Sequence, residues 1–498
     1  MSTRQIEPTG KVRTKIVATI GPVSRSPEML KAMVDAGVDV FRLNFSHGTH
    51  DEHTATVRAI RAIERESGLC LAVLQDLGGP KIRLGPIPGD SVECGLGETF
   101  TLVVDRTSDD PRQMTCTYRD LPRDLRTGDV VLFADGAVAM RVEAEHRGSE
   151  GQPGGDSVSM TVTLAGRLKS RQGINLPGTN LGVSALTEKD LRDLDWTAGA
   201  GVEYVGLSFV RSADDVIQLR RELALRGSKA RIIAKIEKPE AVLAIDAIVA
   251  QADAVMVARG DLGVEMDVAS VPAIQKRVIA ACNRARVPVI TATQMLNSME
   301  TSNRPTRAEA TDVFNAVLDG TDAVMLSGET AAGNYPLEAV ETMSRIVSEA
   351  ETFLAEQQPG FSRNPRETGI GWSNEGWITP ITEAVVDAAS LACRRLNAAL
   401  LVVATRSGRT ALAASKYRNT TPTLALAEDL ETARAMALYW GVNPLVAPGI
   451  ADVEQDLAVA LDWAKTHHVV KPGDRVVLVR GSIPGNPTHN ALVVREAD

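Results

Sequence analysis

Eight short apolar segments constrain the fold of this chain more than any other feature. In chain order they are TKIVATIG, DVFRLNFS, CLAVLQDL, YVGLSFV, RIIAKIE, AVMVARG, VPVITAT and DAVMLSGE. They are rich in β-branched residues, and helical patterns separate most of them. Alternating strands and helices form parallel βαβ units, and eight nearly all-apolar strands fit a closed barrel better than an open sheet. The sequence therefore predicts an α/β protein built on a TIM (β/α)8 barrel.

The spacing of these segments predicts further domains in the 498 residues. Between the third and fourth segments, short alternating strands with Gly, Pro and Asp turns indicate an inserted all-β domain. An insertion at this point lies above the barrel mouth, where a lid excludes water. After the last barrel helix, a polar linker leads to a C-terminal α/β domain with a mostly parallel sheet. The predicted parts are the first part of the TIM barrel, residues 1–80; the inserted β-barrel lid domain, 81–181; the second part of the barrel, 182–354; and the C-terminal α/β regulatory domain, 355–498.

Composition excludes several classes of protein. The net charge of −9, without clustered Lys and Arg, argues against a nucleic-acid binder. The sequence has no apolar run typical of a signal peptide, and no segment is long and apolar enough to span a bilayer. The five cysteines are scattered and odd in number, as expected for reduced thiols. We expect a cytoplasmic protein without nucleic-acid or membrane partners.

The second segment carries polar side chains on one face near its end. Arg42, Asn44 and Ser46 alternate with apolar residues, so they share one face of the strand. Strands of such a barrel are buried on both sides, and active sites lie at their carboxyl ends. We therefore interpret these residues as functional rather than as a solvated face. The following His47 is compatible with a catalytic base, a nucleotide contact or a satisfied loop histidine.

Charged pairs end the fifth and sixth segments. Lys235 and Glu237 are two residues apart, and Arg259 and Asp261 repeat this spacing. On a strand each pair shares a face, so two carboxylates converge on the barrel mouth and suit an oxygen-ligated cation such as Mg²⁺ or Mn²⁺. The alternative is two structural salt bridges, one within each pair. Thr293, at the end of the seventh segment, adds a hydroxyl to the same rim.

Longer motifs resemble those of pyruvate kinases. In chain order they are RLNFSHG, GPKIR, GINLPG, KIEKPE, MVARGDLGVE, TATQMLNSM, RPTRAEATDV and MLSGETAAGNYP. The resemblance covers the barrel and the inserted domain densely and the C-terminal domain more loosely. It implies a glycolytic enzyme that transfers the phosphoryl group of phosphoenolpyruvate to ADP, giving pyruvate and ATP. It also implies Mg²⁺ or Mn²⁺ as cofactor, allosteric control and a homotetramer.

The resemblance implies roles for individual residues as well. Arg42 and Arg83 approach the phosphoryl group, Lys235 sits over it, and Thr293 lies near the enolate carbon that is protonated. Phosphoryl transfer needs mainly positioning and electrostatic stabilisation, which fixed cations supply. The other implied contacts are the divalent metal on Glu237 and Asp261, the substrate carboxylate on backbone amides around Ala258, Arg259, Gly260 and Asp261, and nucleotide or phosphate near Asn44 and His47.

Departures from the family pattern concern a monovalent cation. Members that need K⁺ line its site with residues matching Asn44, Ser46 and Asp76, followed by a residue that is usually threonine. They also carry glutamate at the position of Lys81. Here Leu77 offers no side-chain oxygen, and Lys81 places an ammonium where the glutamate would lie. Because a fixed positive charge can replace the electrostatic role of a bound ion, we predict that K⁺ is not required and assign the chain to the lysine-substituted, K⁺-independent subgroup. The alternative is that Lys81 points to solvent and K⁺ still binds through the remaining oxygens.

A loop in the C-terminal domain has the composition of an anion site. In VVATRSGRTALAASKYR, a strand is followed by a loop with glycine, hydroxyls and arginines, and then by a helix start. Such groups can cradle a phosphate, although a solvated turn is the alternative. The matching segment binds phosphorylated effectors in many pyruvate kinases, and GSIPGNPTHNALVV departs from the loop of fructose-bisphosphate-activated members. We expect a sugar monophosphate or AMP as effector. The candidate residues are Thr405, Arg406, Ser407, Gly408, Arg409 and Thr410.

Two other functions are compatible with parts of the sequence. Another barrel enzyme of phosphoenolpyruvate or pyruvate chemistry, such as an aldolase or a mutase, would share a metal and an arginine at the rim. The nested β domain argues against it. A catalytically silent relative that senses metabolites through its C-terminal domain would have no need of the rim lysine, both carboxylates and Thr293 together.

Overall fold

A closed barrel of eight parallel strands forms the centre of the structure. The structure is a computed structural model, and it describes residues 12–105, 109–147, 156–178, 184–357, 378–449, 452–481 and 490–498. Each of the eight apolar segments contains one barrel strand, so the predicted fold class is confirmed. The strands, in chain order, are β1 (Lys15–Ile20), β2 (Val38–Asn44), β3 (Ala72–Asp76), β4 (Ser91–Cys94), β5 (Thr99–Val103), β6 (Gln113–Met114), β7 (Val130–Phe133), β8 (Val138–His146), β9 (Ser157–Leu164), β10 (Gly166–Lys169), β11 (Ile174–Asn175), β12 (Tyr204–Leu207), β13 (Arg231–Ile236), β14 (Ala254–Ala258), β15 (Val289–Ala292), β16 (Ala323–Leu326), β17 (Leu400–Thr405), β18 (Thr423–Ala427), β19 (Val442–Val446), β20 (Arg475–Arg480) and β21 (Ala491–Glu496).

Several helices begin at residues whose side chains satisfy free backbone amides. The predicted cap at Thr187 and Asp190 is present: the Thr187 hydroxyl accepts from the Asp190 amide at 3.1 Å, and the Asp190 carboxylate accepts from the Thr187 amide at 2.9 Å. None of the helices in the described ranges is both long and apolar enough to cross a membrane. The α-helices are α1 (Pro27–Ala36), α2 (His50–Ser67), α3 (Leu121–Asp124), α4 (Glu188–Ala200), α5 (Ala213–Leu225), α6 (Pro239–Leu243), α7 (Ile245–Val249), α8 (Arg259–Glu265), α9 (Val271–Ala285), α10 (Arg307–Asp319), α11 (Gly328–Ala331), α12 (Pro336–Gln357), α13 (Pro380–Leu396), α14 (Arg409–Lys416), α15 (Leu430–Ala435) and α16 (Val453–Thr466), and short 3₁₀ helices span Val268–Ser270, Asn297–Glu300 and Met436–Leu438.

The barrel closes because its first strand pairs with its last. The strand order is β1, β16, β15, β14, β13, β12, β3 and β2, and β1 pairs in parallel with both β16 and β2. Alternate strand residues, among them Val17, Leu74, Ile233 and Ile290, fill the lumen, while the intervening residues pack against the surrounding helices. The lumen is therefore a packed core, and chemistry is confined to the strand ends.

The all-β domain interrupts the barrel between β3 and β12. Its main sheet has the order β11, β7, β8, β9, β5, β6, with β4 and β10 paired beside it, around a core that includes Phe100 and Phe133. Its Asn175 amide donates to Glu265 at the end of α8 at 3.4 Å, so the domain contacts the carboxyl end of the barrel. The predicted boundary at residues 181 and 182 and most of the predicted linker, residues 358–377, lie outside the described residues.

The C-terminal domain covers the opposite end of the barrel. Its sheet has the order β19, β18, β17, β20, β21, and only the edge strand β21 runs antiparallel to its neighbour. The Tyr204 hydroxyl, at the start of β12, donates to the Ala435 carbonyl at 2.6 Å. Apolar residues of this domain continue the cluster that fills the barrel lumen. The amino ends of the strands are thus closed, and the carboxyl ends remain for a site.

Candidate active site

A chain of alternating charges crosses the carboxyl end of the barrel from β2 to β13. The Arg42 guanidinium donates to the Asp76 carboxylate at 2.7 Å. The other oxygen of Asp76 lies 3.1 Å from the ammonium of Lys235, which in turn lies 2.9 Å from Glu237. Asp76 therefore bridges two cations that are 193 positions apart in the sequence, and it holds both at the rim.

Burial makes this charge chain electrostatically strong. Asp76 is 1% exposed, Glu237 2% and Lys235 8%. Burial pushes the pKa of Asp76 upward, but the neighbouring Lys235 and Arg42 outweigh it and lower the pKa overall. Burial likewise opposes the charge on Lys235, yet Asp76 and Glu237 raise its pKa above the usual value for lysine. Lys235 thus carries a permanent positive charge shielded from water.

Glu237 and Asp261 form the candidate metal pair. Burial, and then the negative charge of Asp261, raise the pKa of Glu237, although Lys235 acts in the opposite direction. The Asp261 carboxylate, half-buried on the first turn of α8, makes no hydrogen bond or ion pair with any other described residue. A cation held by both carboxylates would remove their repulsion, and the oxygen donors suit Mg²⁺.

The number of carboxylates also fits this metal. Within the described ranges, no three His, Cys, Asp or Glu side chains are grouped so that they could hold a metal by themselves. Mg²⁺ is usually bound by one or two carboxylates and completes its shell with water and substrate phosphates. The pair Glu237 and Asp261 therefore suits a metal that is shared with the substrate.

The second charged pair does not have the arrangement that its spacing predicted. β14 ends at Ala258, and α8 begins at Arg259, so Arg259 and Asp261 do not share a strand face. Arg259 instead forms an ion pair with Asp312 on α10 at 2.7 Å. The expected salt bridge is therefore present between Lys235 and Glu237, whereas the one expected between Arg259 and Asp261 is wrong. The Asp261 carboxylate is thus available for another partner.

The turn from β14 into α8 lies beside Thr293. The Thr293 hydroxyl accepts from the Gly260 amide at 2.7 Å and donates to the Ala292 carbonyl at 2.6 Å. A β-carbon built on Gly260 would lie 3.5 Å from the Thr293 side chain, an ordinary contact. The turn is thus in direct contact with the hydroxyl at the end of β15. The residues predicted to bind a carboxylate through this turn are Ala258, Arg259, Gly260 and Asp261.

The polar residues after β2 lie at the edge of the same opening. The Asn44 side-chain oxygen accepts from the Ser46 amide at 3.1 Å, and both Ser46 and His47 are exposed. The His47 carbonyl accepts from the ring of His53, which stacks on Phe45 with ring centroids 4.2 Å apart. His53 is therefore part of an aromatic cluster, while the His47 imidazole faces solvent.

Two predicted site residues lie on the β domain rather than at the barrel rim. The Arg83 guanidinium donates to the Arg171 carbonyl at 3.3 Å. Lys81 is exposed, and its side chain runs along Gly173, where an added β-carbon would lie 3.4 Å from the Lys81 Cε atom. The structure brings neither residue into contact with the Lys235 charge chain.

Sequence reasoning missed Ser208, and the structure shows where the side chain of Leu77 lies. Leu77 is 1% exposed and packs in the apolar layer between the strands and the helices, so its side chain points away from the rim. Its carbonyl accepts from the Ser208 hydroxyl at 2.8 Å, and that hydroxyl accepts from Lys235 at 2.7 Å. The position of Ser208 at the end of the fourth apolar segment is the signal that could have identified it.

The candidate anion loop contacts the barrel. The Ser407 carbonyl accepts from Arg231, at the start of β13, at 3.2 Å, and Arg406 pairs with Glu428 at 2.8 Å. Gly408 has a left-handed φ of 79° immediately before α14, a helix start without a side-chain cap. The loop therefore joins the C-terminal sheet to the amino end of a barrel strand. Its residues are Thr405, Arg406, Ser407, Gly408, Arg409 and Thr410.

Comparisons with known proteins agree with this fold. Residues 11–340 match the family described as pyruvate kinase, barrel domain, and residues 383–495 match pyruvate kinase, alpha/beta domain. The chain is 41% identical to pyruvate kinase 2 of Synechocystis sp. over 95% of its length and 77% of that protein. It is 40% identical to a pyruvate kinase of Mycobacterium tuberculosis over 97% of both chains.

A solved structure gives the same result. The crystal structure of a pyruvate kinase from Cryptosporidium parvum superposes with a TM-score of 0.89 and 33% sequence identity, covering 100% of this chain and 99% of that one. The chain therefore belongs to the pyruvate kinase family and transfers a phosphoryl group between phosphoenolpyruvate and ADP.

Proposed function

We propose that the buried charge chain carries phosphoryl transfer, with Lys235 and Arg42 as the cations that face the transferring group. The observation that supports this assignment is the position of Asp76, which fixes both cations within 3.1 Å of one carboxylate at the strand ends. In a loose transition state, negative charge spreads over the equatorial phosphoryl oxygens. Cations that are already held in place stabilise this charge without reorganisation, and burial strengthens the effect.

The metal and the substrate carboxylate take the neighbouring positions in this proposal. Pyruvate kinases generally need Mg²⁺, and Glu237 and Asp261 would hold it. When bound, it supplies further positive charge against the phosphoryl oxygens. The other assigned roles are the backbone turn at Ala258, Arg259, Gly260 and Asp261 for the substrate carboxylate, Thr293 beside the carbon that is protonated, Arg83 from the β domain for the phosphoryl group, and Asn44 and His47 for the nucleotide.

The test is pyruvate formation from phosphoenolpyruvate and ADP with Mg²⁺, comparing Lys235→Met with Lys15→Met. Lys15 is also a buried lysine, but it lies at the closed end of the barrel, where it pairs with Asp39 at 3.8 Å. We expect Lys235→Met to lose about 10²-fold or more in kcat, as when an electrostatic stabiliser is removed, while Lys15→Met keeps its turnover. Equal losses in both variants would contradict the assignment, and absence of turnover in the unmodified chain would favour the silent-sensor alternative.

We further propose that the enzyme works without K⁺. Several oxygens of the region that would bind K⁺ are already engaged, since Asp76 is paired with two cations and the Leu77 carbonyl accepts from Ser208. The Asn44 oxygen accepts from a backbone amide at 3.1 Å. Lys81 lies exposed beside Gly173 on the β domain, at the position where K⁺-requiring members carry glutamate, and its ammonium adds positive charge there. These contacts support the K⁺-independent subgroup, with the β domain carrying the lysine.

The K⁺ proposal is tested by replacing K⁺ with a tetraalkylammonium salt at constant ionic strength. We expect kcat to change by less than about twofold. Lys81→Glu should then create a K⁺ requirement, whereas Lys169→Glu, an exposed lysine of the same domain, should not. A large loss of rate without K⁺ in the unmodified enzyme would refute the proposal.

We also propose a site for a phosphorylated effector in the C-terminal domain. The uncapped start of α14 and the arginines beside it support a phosphorylated effector, a sugar monophosphate or AMP, at residues 405–410. Much of the nearby segment GSIPGNPTHNALVV, residues 482–489, lies outside the described residues. A shift of the substrate saturation curve by such a metabolite would test this site.

Assembly, location and domain limits are also proposals. Family membership supports a homotetramer, which light scattering would test, and five free thiols support a cytoplasmic enzyme. The grouping of β1 to β3, β4 to β11, β12 to β16 and β17 to β21 supports division at residues 80, 181 and 354, which limited proteolysis would test.

A further inference from the structure

The backbone after β15 adopts an unfavourable conformation at Thr293. Thr293 and Gln294 have φ values of 68° and 54°, both in the left-handed region. A β-branched residue rarely adopts this conformation, which is strained and persists only where the surroundings hold it. Some group must therefore hold the Thr293 backbone in place.

The Arg259 side chain provides this support. Its guanidinium donates to the Ala292 carbonyl at 3.2 Å and to the Thr293 carbonyl at 2.7 Å, the two carbonyls on either side of the Thr293 nitrogen and α-carbon. The opposite edge of the guanidinium pairs with Asp312 on α10 at 2.7 Å. The side chain is 11% exposed, so these bonds are largely shielded from water. A planar fork of five donors can make all these contacts at once, which a lysine cannot.

The position of the Thr293 hydroxyl depends on the same contacts. This hydroxyl donates to the Ala292 carbonyl, which Arg259 also contacts, and accepts from the Gly260 amide at 2.7 Å. Gly260 follows Arg259 directly in the first turn of α8. This turn therefore contacts Thr293 twice: the Arg259 guanidinium donates to the Thr293 carbonyl, and the Gly260 amide donates to the Thr293 hydroxyl. A change in the guanidinium therefore displaces the hydroxyl without touching Lys235 or the metal pair.

We propose that Arg259 is a positioning residue for the proton-transfer step, acting through Thr293; this inference rests on the proposed role of Thr293. After the phosphoryl group has left, the enolate oxygen re-forms its carbonyl bond, and the carbon–carbon double-bond electrons take a proton at the methylene carbon. The Thr293 hydroxyl turns its proton from the Ala292 carbonyl to this carbon and is reprotonated from solvent. One solvent proton is consumed for each pyruvate formed, and it neutralises the charge of the enolate. Arg259 contributes by holding the hydroxyl in the left-handed turn where it meets the Gly260 amide.

The two half-reactions can be measured separately in the full-length enzyme. Exchange of the pyruvate methyl protons with D₂O, followed by NMR with Mg²⁺ and ATP present, reports proton transfer at carbon. ATP formed from phosphoenolpyruvate and ADP in a single quenched turnover reports phosphoryl transfer. In Arg259→Gln we expect methyl exchange to fall by about tenfold or more beyond any fall in ATP formation, as for a misplaced catalytic group, because the variant keeps the Arg259 backbone amide assigned to the substrate carboxylate. Arg259→Lys should show the same split to a smaller degree.

Matched variants distinguish this proposal from a structural role and from failure of the proposed function. Arg220→Gln removes another guanidinium, which donates to the Gln251 carbonyl at 2.6 Å and to the Asp253 carboxylate at 3.0 Å. This variant should change neither methyl exchange nor ATP formation. In Thr293→Ala, addition of Arg259→Gln should cause no further loss of exchange, because both act through one hydroxyl.

Each remaining outcome refutes a specific statement. Equal losses of exchange and ATP formation in the Arg259 variants, or exchange within about twofold of the unmodified enzyme in both, would overturn the positioning role. If Arg259→Gln does not fold, Arg259→Lys is judged by the same criteria. Full exchange in Thr293→Ala would refute the assigned role of Thr293 itself.

Discussion

Replacing Asp76 by asparagine tests whether one buried carboxylate organises the phosphoryl-transfer site. The substitution preserves shape but removes the negative charge between Arg42 and Lys235, which lie 2.5 Å and 3.1 Å from its oxygens. Among the described residues, Lys235 keeps Glu237 at 2.9 Å, whereas Arg42 keeps only the Thr19 hydroxyl at 2.9 Å. Two cations would then face each other across a neutral amide, and we expect both to move from their present positions.

The distances give the size of the effect. At an effective dielectric constant of about 20, unit charges 3.1 Å apart interact by about 5 kcal/mol, before the cost of removing them from water. Breaking a buried ion pair by removing one partner costs about 3–5 kcal/mol of stability. Displacing the cations should also remove transition-state stabilisation, and we expect kcat to fall by about 10²-fold.

Asp39→Asn is the matched control for Asp76→Asn. Asp39 is 4% exposed on the same strand as Arg42, pairs with Lys15 at 3.8 Å, and lies at the closed end of the barrel. Urea unfolding and the coupled assay of pyruvate formation should be run on both variants in parallel. Both should unfold at lower urea, but only Asp76→Asn should lose turnover. A kcat within about twofold of the unmodified enzyme in Asp76→Asn, or equal losses in both variants, would refute the reasoning.

Stability predictions concern the domain boundary and the base of the barrel. Gly79 has a φ of 64°, and a β-carbon there would lie 2.8 Å from the Phe209 ring, so Gly79→Ala should lower the urea midpoint; an unchanged midpoint would contradict the close approach. Asp322 pairs with both Lys416 and Arg418, so Asp322→Asn should lower the free energy of unfolding by about 3–5 kcal/mol. Lys416→Met should lower it less, because Asp322 keeps Arg418 at 3.0 Å. A larger loss in Lys416→Met than in Asp322→Asn, measured by urea unfolding, would be inconsistent with this network. Burial, and then the positive charge of Arg418, lower the pKa of Lys416 to about 8, although Asp322 acts in the opposite direction. In the unfolded chain the lysine has a pKa of about 10.4, so the unfolded chain binds more protons than the folded one between about pH 8 and pH 10.4. The free energy of unfolding, relative to that of Lys416→Met, should therefore rise with pH across this window. A difference between the two proteins that does not change with pH would exclude the lowered pKa of Lys416.

Local patterns in the sequence predicted the strands and part of the site. The barrel strands were identifiable because both of their faces are buried, which leaves an apolar segment whatever the partner strand is. Lys235 and Glu237 could be paired because strand geometry alone places positions two apart on one face. The same reasoning was wrong for Arg259 and Asp261, since the strand ends one residue earlier, at Ala258.

Long-range contacts were beyond sequence reasoning. Arg259 pairs with a residue on α10, 53 positions later, and no spacing rule connects the two. The bridging role of Asp76 depends on β3 lying between β2 and β12 in the closed sheet, which places its carboxylate between cations from different strands. The outward direction of Leu77 likewise depends on where β3 ends. Apolar patterns thus predict the architecture, whereas electrostatic partners are set by tertiary contacts.

Pairing of the first strand with the last limits the order in which the chain can fold during synthesis. Lys15 lies opposite Ala323, so the barrel cannot close until almost two-thirds of the protein has left the ribosome. The β domain, whose strands all lie between Ser91 and Asn175, is complete much earlier. A nascent chain therefore carries a finished β domain while the edges of β1 and its neighbours are still unpaired. These edges are the sites where chaperones would bind and where interrupted translation would lead to aggregation.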